Sequence, residues 1–156
     1  MASAEGRPYH SGMLPILAIL AAMVVPPMTE AELRHQADVV VDGKVVSQHS
    51  AWVSRRIFTF SVVVAGAGPG LRSYLVALPG GDVGGLSQRV AGSPVLSVGV
   101  RYRLYLGPAA GPSDGSSPNK SRGVVGFYRG VFLLDESQGS NPVPFGDDGL
   151  PLGVAR

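Results

Sequence analysis

Short runs in which apolar and polar side chains alternate, set between clusters of glycine and proline, restrict this chain more than any other feature. In residues 57–64 (IFTFSVVV), Phe58, Phe60, Val62 and Val64 fall on one face and Thr59 and Ser61 on the other. That is the period of two expected of a half-buried strand. Residues 101–106 (RYRLYL) repeat it, with Tyr102, Leu104 and Leu106 opposite Arg101, Arg103 and Tyr105. Further strands are expected at 74–78, 124–128 and 131–134, the last two joined around Arg129 and Gly130. In residues 39–46 (VVVDGKVV), Asp-Gly between valines is a hairpin signal. Its arms would fall short of the usual strand length of about five or six residues, which favours one long strand bent or bulged at Gly43.

Before these strands, Thr29 followed by Glu32 (T-E-A-E) predicts a capped helix start, with Leu33 positioned to dock it. Glycine and proline number 22 and 13 of 156 residues without a three-residue period, which excludes a collagen-like chain and fits strands joined by many turns. The expected fold is all-β: a small OB-like or Greek-key barrel of about six strands with a short N-terminal helix, spanning residues 29–136. The 107–123 stretch (GPAAGPSDGSSPNKSRG) reads as a long mobile loop, and 137–156 as a flexible tail.

Residues 1–28 are read separately. Arg7 and His10 precede an uncharged run, MLPILAILAAMVVPP, and polarity resumes at Thr29. This is the layout of a secretory signal peptide, and the run is too short and too proline-bearing for a permanent membrane span. Glu5 in the start region and the lack of an A-x-A site before Thr29 keep a buried helix of a soluble protein as the alternative. The expected location is exported, periplasmic or extracellular, with only transient membrane contact through this segment. Cysteine is absent, so the fold is held by packing rather than disulfides.

Few residues point to chemistry. The histidines at 10, 35 and 49 lack metal-ligand spacing, and the 146–149 turn (GDDG) lacks the alternating acids of a calcium loop. Neither G-x-S-x-G nor a complete nucleotide-binding glycine loop occurs. No catalytic residue, cofactor or metal is therefore expected. The most distinctive segment is 78–86 (LPGGDVGGL). Its Gly80, Gly81, Asp82, Gly84 and Gly85 form a candidate binding site, either by offering backbone amides to an anion or by letting a partner's backbone approach closely. The competing reading is a turn that needs positive φ.

The order AELRHQADVVVDGKV, RIFTFSVVV, LPGGDVGGLSQRVAGSPVLSVGVRYRLYL and VVGFYRGVFLL resembles the small non-catalytic β-domain of exported bacterial proteins, some of which join it to a matrixin-type metalloprotease. The strand order is also loosely similar to netrin-like, OB-type barrels. No H-E-x-x-H motif occurs in this chain. The resemblance implies an exported, non-enzymatic module that binds a protein or is accessory to a secreted protease.

Two other functions compete. An OB-like domain binding single-stranded nucleic acid would use Arg55, Arg56, Arg72, Arg89, Arg101 and Arg103 with Tyr74, Tyr102 and Tyr105. Export makes nucleic acid an unexpected partner. A small serine hydrolase would need His35 or His49.

Overall fold

A computed structural model of the chain describes residues 26–134 and 141–153. Most of the expected signal segment, residues 1–25, lies outside the described residues. Helix α1 (Glu30–Gln36) starts on a complete capping box: Thr29 Oγ1 accepts from the Glu32 amide at 3.2 Å, and Glu32 Oε2 accepts from the Thr29 amide at 2.6 Å. Seven residues are too few for a stable isolated helix, so α1 depends on packing. Leu33 supplies it and is 1% exposed.

Eight strands follow: β1 (Val39–Val53), β2 (Arg56–Ala65), β3 (Arg72–Pro79), β4 (Gly81–Val83), β5 (Leu86–Gln88), β6 (Arg101–Leu106), β7 (Val131–Leu133) and β8 (Val143–Pro144). Six form an antiparallel sheet in the order β3-β2-β1-β6-β7-β8, while β4 and β5 make a separate hairpin. The fold is all-β with one short helix, as the alternation predicts. The strands do not close into a barrel among the described residues. Between β3 and β6 the gap is spanned by isolated bridges, Val76 to Arg122 and Leu106 to Val124. The segment that crosses it is dense in glycine, proline and serine, residues poorly suited to a continuous strand.

Strand β1 runs unbroken through Gly43, and its irregularity lies three residues later. Val45 opposes Val63 and Ser47 opposes Val62, so Val46 is the extra residue of a bulge. Before the bulge Val41 and Val45 face the core with Val63, Val76, Leu78, Leu104 and Leu106. After it the facing parity changes. Gln48, Ser50 and Trp52 now stand opposite Ser61, Thr59 and Ile57. Gly43 has a different role: a Cβ there would come within 2.7 Å of the Val63 side chain.

The two faces of β2 divide as expected, but the strand is buried on both rather than on one. Ile57 and Val63 belong to the face with Thr59 and Ser61, and all but Thr59 are fully buried. Phe60 is also fully buried, but on the opposite face, where the His49 ring stacks on it at 5.4 Å. Both faces are covered, so simple alternation could not tell inside from outside. The 107–123 stretch is docked rather than a free loop: Ala77 N–H donates to Arg122 O at 3.0 Å, and Ser121 is fully buried with its hydroxyl on Pro112 O at 2.5 Å. Residues 124–128 form no strand, because Gly126 and Phe127 take positive φ and lead into a 3-10 helix at Phe127–Gly130.

The part of the expected tail that is described also packs. Phe145 is 3% exposed and meets Tyr102 edge-on at 6.0 Å. The core therefore extends beyond the 136 boundary. On the outer face of β6, Tyr105 is fully buried and donates to Glu30 Oε1 at 2.9 Å, which ties α1 to the sheet. Leu33→Ala should lower the unfolding free energy by about 3 kcal/mol, the usual cost of emptying a fully buried leucine site. Urea denaturation followed by tryptophan fluorescence measures it.

Candidate functional site

A cleft of about 310 Å³ opens where β1 passes the bulge, between the β1–β2 hairpin and the chain from Pro79 to Leu96. Its floor is a chain of polar side chains that the bulge turns inward. Gln48 Nε2 donates to Ser61 Oγ at 2.9 Å and to Leu96 O at 3.0 Å. Ser50 Oγ and Thr59 Oγ1 lie 3.0 Å apart, and Thr59 Oγ1 donates to Gly80 O at 2.9 Å. Ser93 Oγ donates to Pro79 O at 2.8 Å. Gln88 Oε1 accepts from the Ile57 amide at 2.8 Å. These bonds fix the walls: a buried polar group without a partner costs more than the net gain of pairing it.

The predicted glycine site divides in two. Gly80, Gly81 and Asp82 line the cleft, whereas Gly84 and Gly85 do not. Gly81 is confined by the cleft floor. Its φ is +139°, and a Cβ would fall 2.5 Å from both Ser50 Oγ and Thr59 Oγ1. Gly84 and Gly85 are the two-residue turn between β4 and β5, with φ of 57° and 79° and open space around them. The Gly80 amide donates to Ile57 O at 2.8 Å. It is spent on the fold and is not offered to an anion.

At the rim Asp82 and Arg89 pair at 3.3 Å, and both are mostly exposed. The Ser87 hydroxyl, then Arg89, holds the Asp82 carboxyl below its ordinary range.

The residues named for nucleic-acid binding are placed differently from what stacking on bases requires. Tyr102 is 3% exposed, and its hydroxyl accepts from the Ser97 amide at 2.9 Å. Tyr105 is buried beneath α1, and Tyr74 packs against the core. Arg103 forms a two-pronged pair with Asp42 at 2.8 and 2.7 Å, and Arg89 is paired with Asp82. Arg55, Arg56, Arg72 and Arg101 are exposed.

His35 is exposed on α1. His49 borders the cleft, but its ring turns to the far face of the sheet, stacked on Phe60 with Nε2 on Asp114 Oδ2. Ser116 donates its hydroxyl to Asp114 rather than to the histidine, so these three are not ordered as nucleophile, base and acid. The Asp114 side chain is 7% exposed, and the Ser116 hydroxyl, the His49 ring and the Ser116 amide hold its carboxyl down to about 2. No group of three or more metal-ligating side chains is found among the described residues.

Sequence reading missed Gln48, Ser50 and Ser93 and assigned Thr59 and Ser61 to a solvent face. The only signal was an unusual run of polar residues, SQHS, inside an otherwise strand-like stretch. The chain matches no protein-family model, and no curated protein or solved structure is significantly similar to it.

Two predictions test this geometry. Gly81→Ala should destabilise the protein by about 3 kcal/mol, from backbone strain and overpacking together, and Gly84→Ala by only about 1 kcal/mol. Thermal or urea unfolding of the two variants checks the contrast.

The second concerns pH. Because the folded Asp114 pKa lies below the ordinary carboxylate value, its stabilisation is full above that value and is lost as pH falls through about 2. The stability advantage of the parent over Asp114→Asn should therefore be constant above about pH 5 and shrink below about pH 4. Acid unfolding curves of both proteins measure it.

Proposed function

We propose that this chain is a non-enzymatic, exported binding module that takes part of a partner protein into the cleft beside the β1–β2 hairpin. The observation that carries the reading is how the cleft's polar groups are used. Every hydroxyl on its floor and wall is bonded to a backbone carbonyl or to another side chain, and the lone carboxylate, Asp82, is paired with Arg89 at the rim. An acid–base site needs a group poised to exchange protons with a reactant. Here the hydroxyls instead preorganise a rigid concave surface that mixes amide, hydroxyl and apolar contacts, as ligand pockets do.

A role as a companion to a secreted protease belongs to the same proposal and rests on the resemblance of the sequence order. Nucleic-acid binding is the weaker reading, since Tyr102 and Tyr105 are used inside the core.

Mass spectrometry of a peptide library incubated with protein purified from cells expressing the full chain tests the proposal. Peptides should be retained and recovered intact, with the same set retained by His49→Ala. Peptide cleavage that disappears in His49→Ala would replace this reading with the hydrolase. An intact, uncleaved chain found in the cytoplasm would remove the export part.

A further inference from the structure

The cleft borders a sheet edge that the fold leaves open. Strand β6 pairs with β1 only from Val39 to Lys44, and the last main-chain bonds on that side of β1 are Val45 N–H to Val100 O at 3.0 Å and Gly99 N–H to Val45 O at 2.7 Å. Past the bulge, β1 is paired on one side alone, with β2. The direction of its free groups follows from its partner. Ile57 uses its amide on Gln88 and its carbonyl on Gly80, both away from β1. Its antiparallel neighbour Trp52 therefore points its own amide and carbonyl away from β2, and Ser50 and Gln48 do the same at intervals of two residues. Among the described residues none of these three N–H groups or carbonyls has a main-chain partner.

Natural sheets shield such edges with lysine, proline or inward-facing charge. Residues 46–53 (VSQHSAWV) contain no lysine, arginine, proline or acid. The one ionisable side chain in this stretch, His49, is paired with Asp114 on the far face, and the edge is flanked by exposed apolar side chains, Trp52 at 50%, Val95 at 52% and Val98 at 55%. Its two ends are cationic. Lys44 lies at one end and Arg55 and Arg56 at the other, and none of the three forms an ion pair among the described residues.

Building on the binding-module reading, we infer that the open edge of β1 binds an extended peptide segment of a partner protein, neutral at its centre and acidic at its ends, as an added strand. The peptide's main chain pairs with Gln48, Ser50 and Trp52, and alternate side chains enter the cleft. Charge complementarity sets the acidic ends against Lys44 and against Arg55 and Arg56. The cleft favours a peptide over a second copy of this chain. In a symmetric β1-to-β1 pair, the side chains on the cleft face would be Gln48 and Ser50 of the other copy, already held in that copy's own hydrogen bonds. Each cleft would stay unfilled.

The test is amide hydrogen exchange by NMR on protein purified from cells expressing the full chain. The added peptide is the acetylated ten-residue Glu-Glu-Val-Thr-Val-Thr-Val-Thr-Glu-Glu, and control peptides carry lysine or glutamine in place of the glutamates. Exchange at Gln48, Ser50 and Trp52 should slow at least tenfold, while Ser47, His49 and Ala51, already bonded to β2, change little. The lysine-ended peptide should bind more weakly than the acidic one, and the gap should narrow with added salt. N-methylation at alternate peptide positions should abolish binding in one register and spare it in the other. Binding without this alternate protection would overturn strand addition and leave the binding module standing. Protection of the same three amides that rises with protein concentration alone would assign the edge to a second copy and overturn the peptide proposal. Failure of all three peptides to bind, when the library experiment still retains peptides, would overturn the added-strand proposal and leave the binding module standing; no retention in the library either would overturn both.

Discussion

The extra residue Val46 in β1 decides which side chains this protein shows to its interior. A strand has a strict two-residue period, so inserting one residue exchanges the faces of everything beyond it. Ahead of the bulge this face carries valines that build the core; beyond it the same face carries Gln48 and Ser50, and then Trp52, which is half exposed. The Gln48 and Ser50 part of the cleft floor follows from that change. Without the extra residue, His49 would take the inward face and Gln48 the outward one, and the Gln48–Ser61 bond in the cleft floor would be lost.

The second organising condition is that the sheet is covered on both sides by different means. On the core side, aliphatic residues of β1, β2, β3 and β6 pack with Phe145, which directly follows β8. On the other side, α1 covers Tyr105, and the docked 107–123 segment is joined to His49, which lies over Phe60. The ionic groups on that side are aligned with the packing. Glu30 lies beside Arg34 and Tyr105, and those contacts hold its carboxyl below the ordinary range. Burial of the Tyr105 ring, together with Glu30, pushes its hydroxyl the other way. The polar ties on this face position covers whose stability comes mainly from the apolar surface beneath them.

The sequence makes the all-β class, the capping box at Thr29 and the exact span of the RYRLYL strand legible, because each depends on local pattern. Where tertiary contacts override the pattern, sequence reading goes wrong for identifiable reasons. A bulge carries no composition signature in VDGKVVSQ, and the more conspicuous glycine drew the irregularity to Gly43. The doubly covered sheet makes both Phe60 and Val63 interior residues, which a one-sided alternation cannot accommodate. The Gly-Pro-Ser segment at 107–123 has the composition of a loose loop, yet Ser121 and Arg122 lock it to β3 through main-chain bonds that composition does not report. For the candidate site, the LPGGDVGGL segment marks the right neighbourhood. The residues that form the polar floor lie earlier, on β1 and β2, and part of the wall lies later, at Gln88, Ser93 and Leu96.

Phe145 has a consequence for how the chain reaches this state. It closes the core against Tyr102, while the Val95 amide is held by Gly149 O at 2.9 Å. The core that β1 begins is therefore completed by Phe145, far along the chain from Val41 and Val45. During synthesis, the β1–β2–β3 meander emerges with its apolar face uncovered and gains the cover of Phe145 only when that segment has left the ribosome. A truncation that stops short of residue 145 would not merely lose an end; it would leave Tyr102 and the core beside it without their cover.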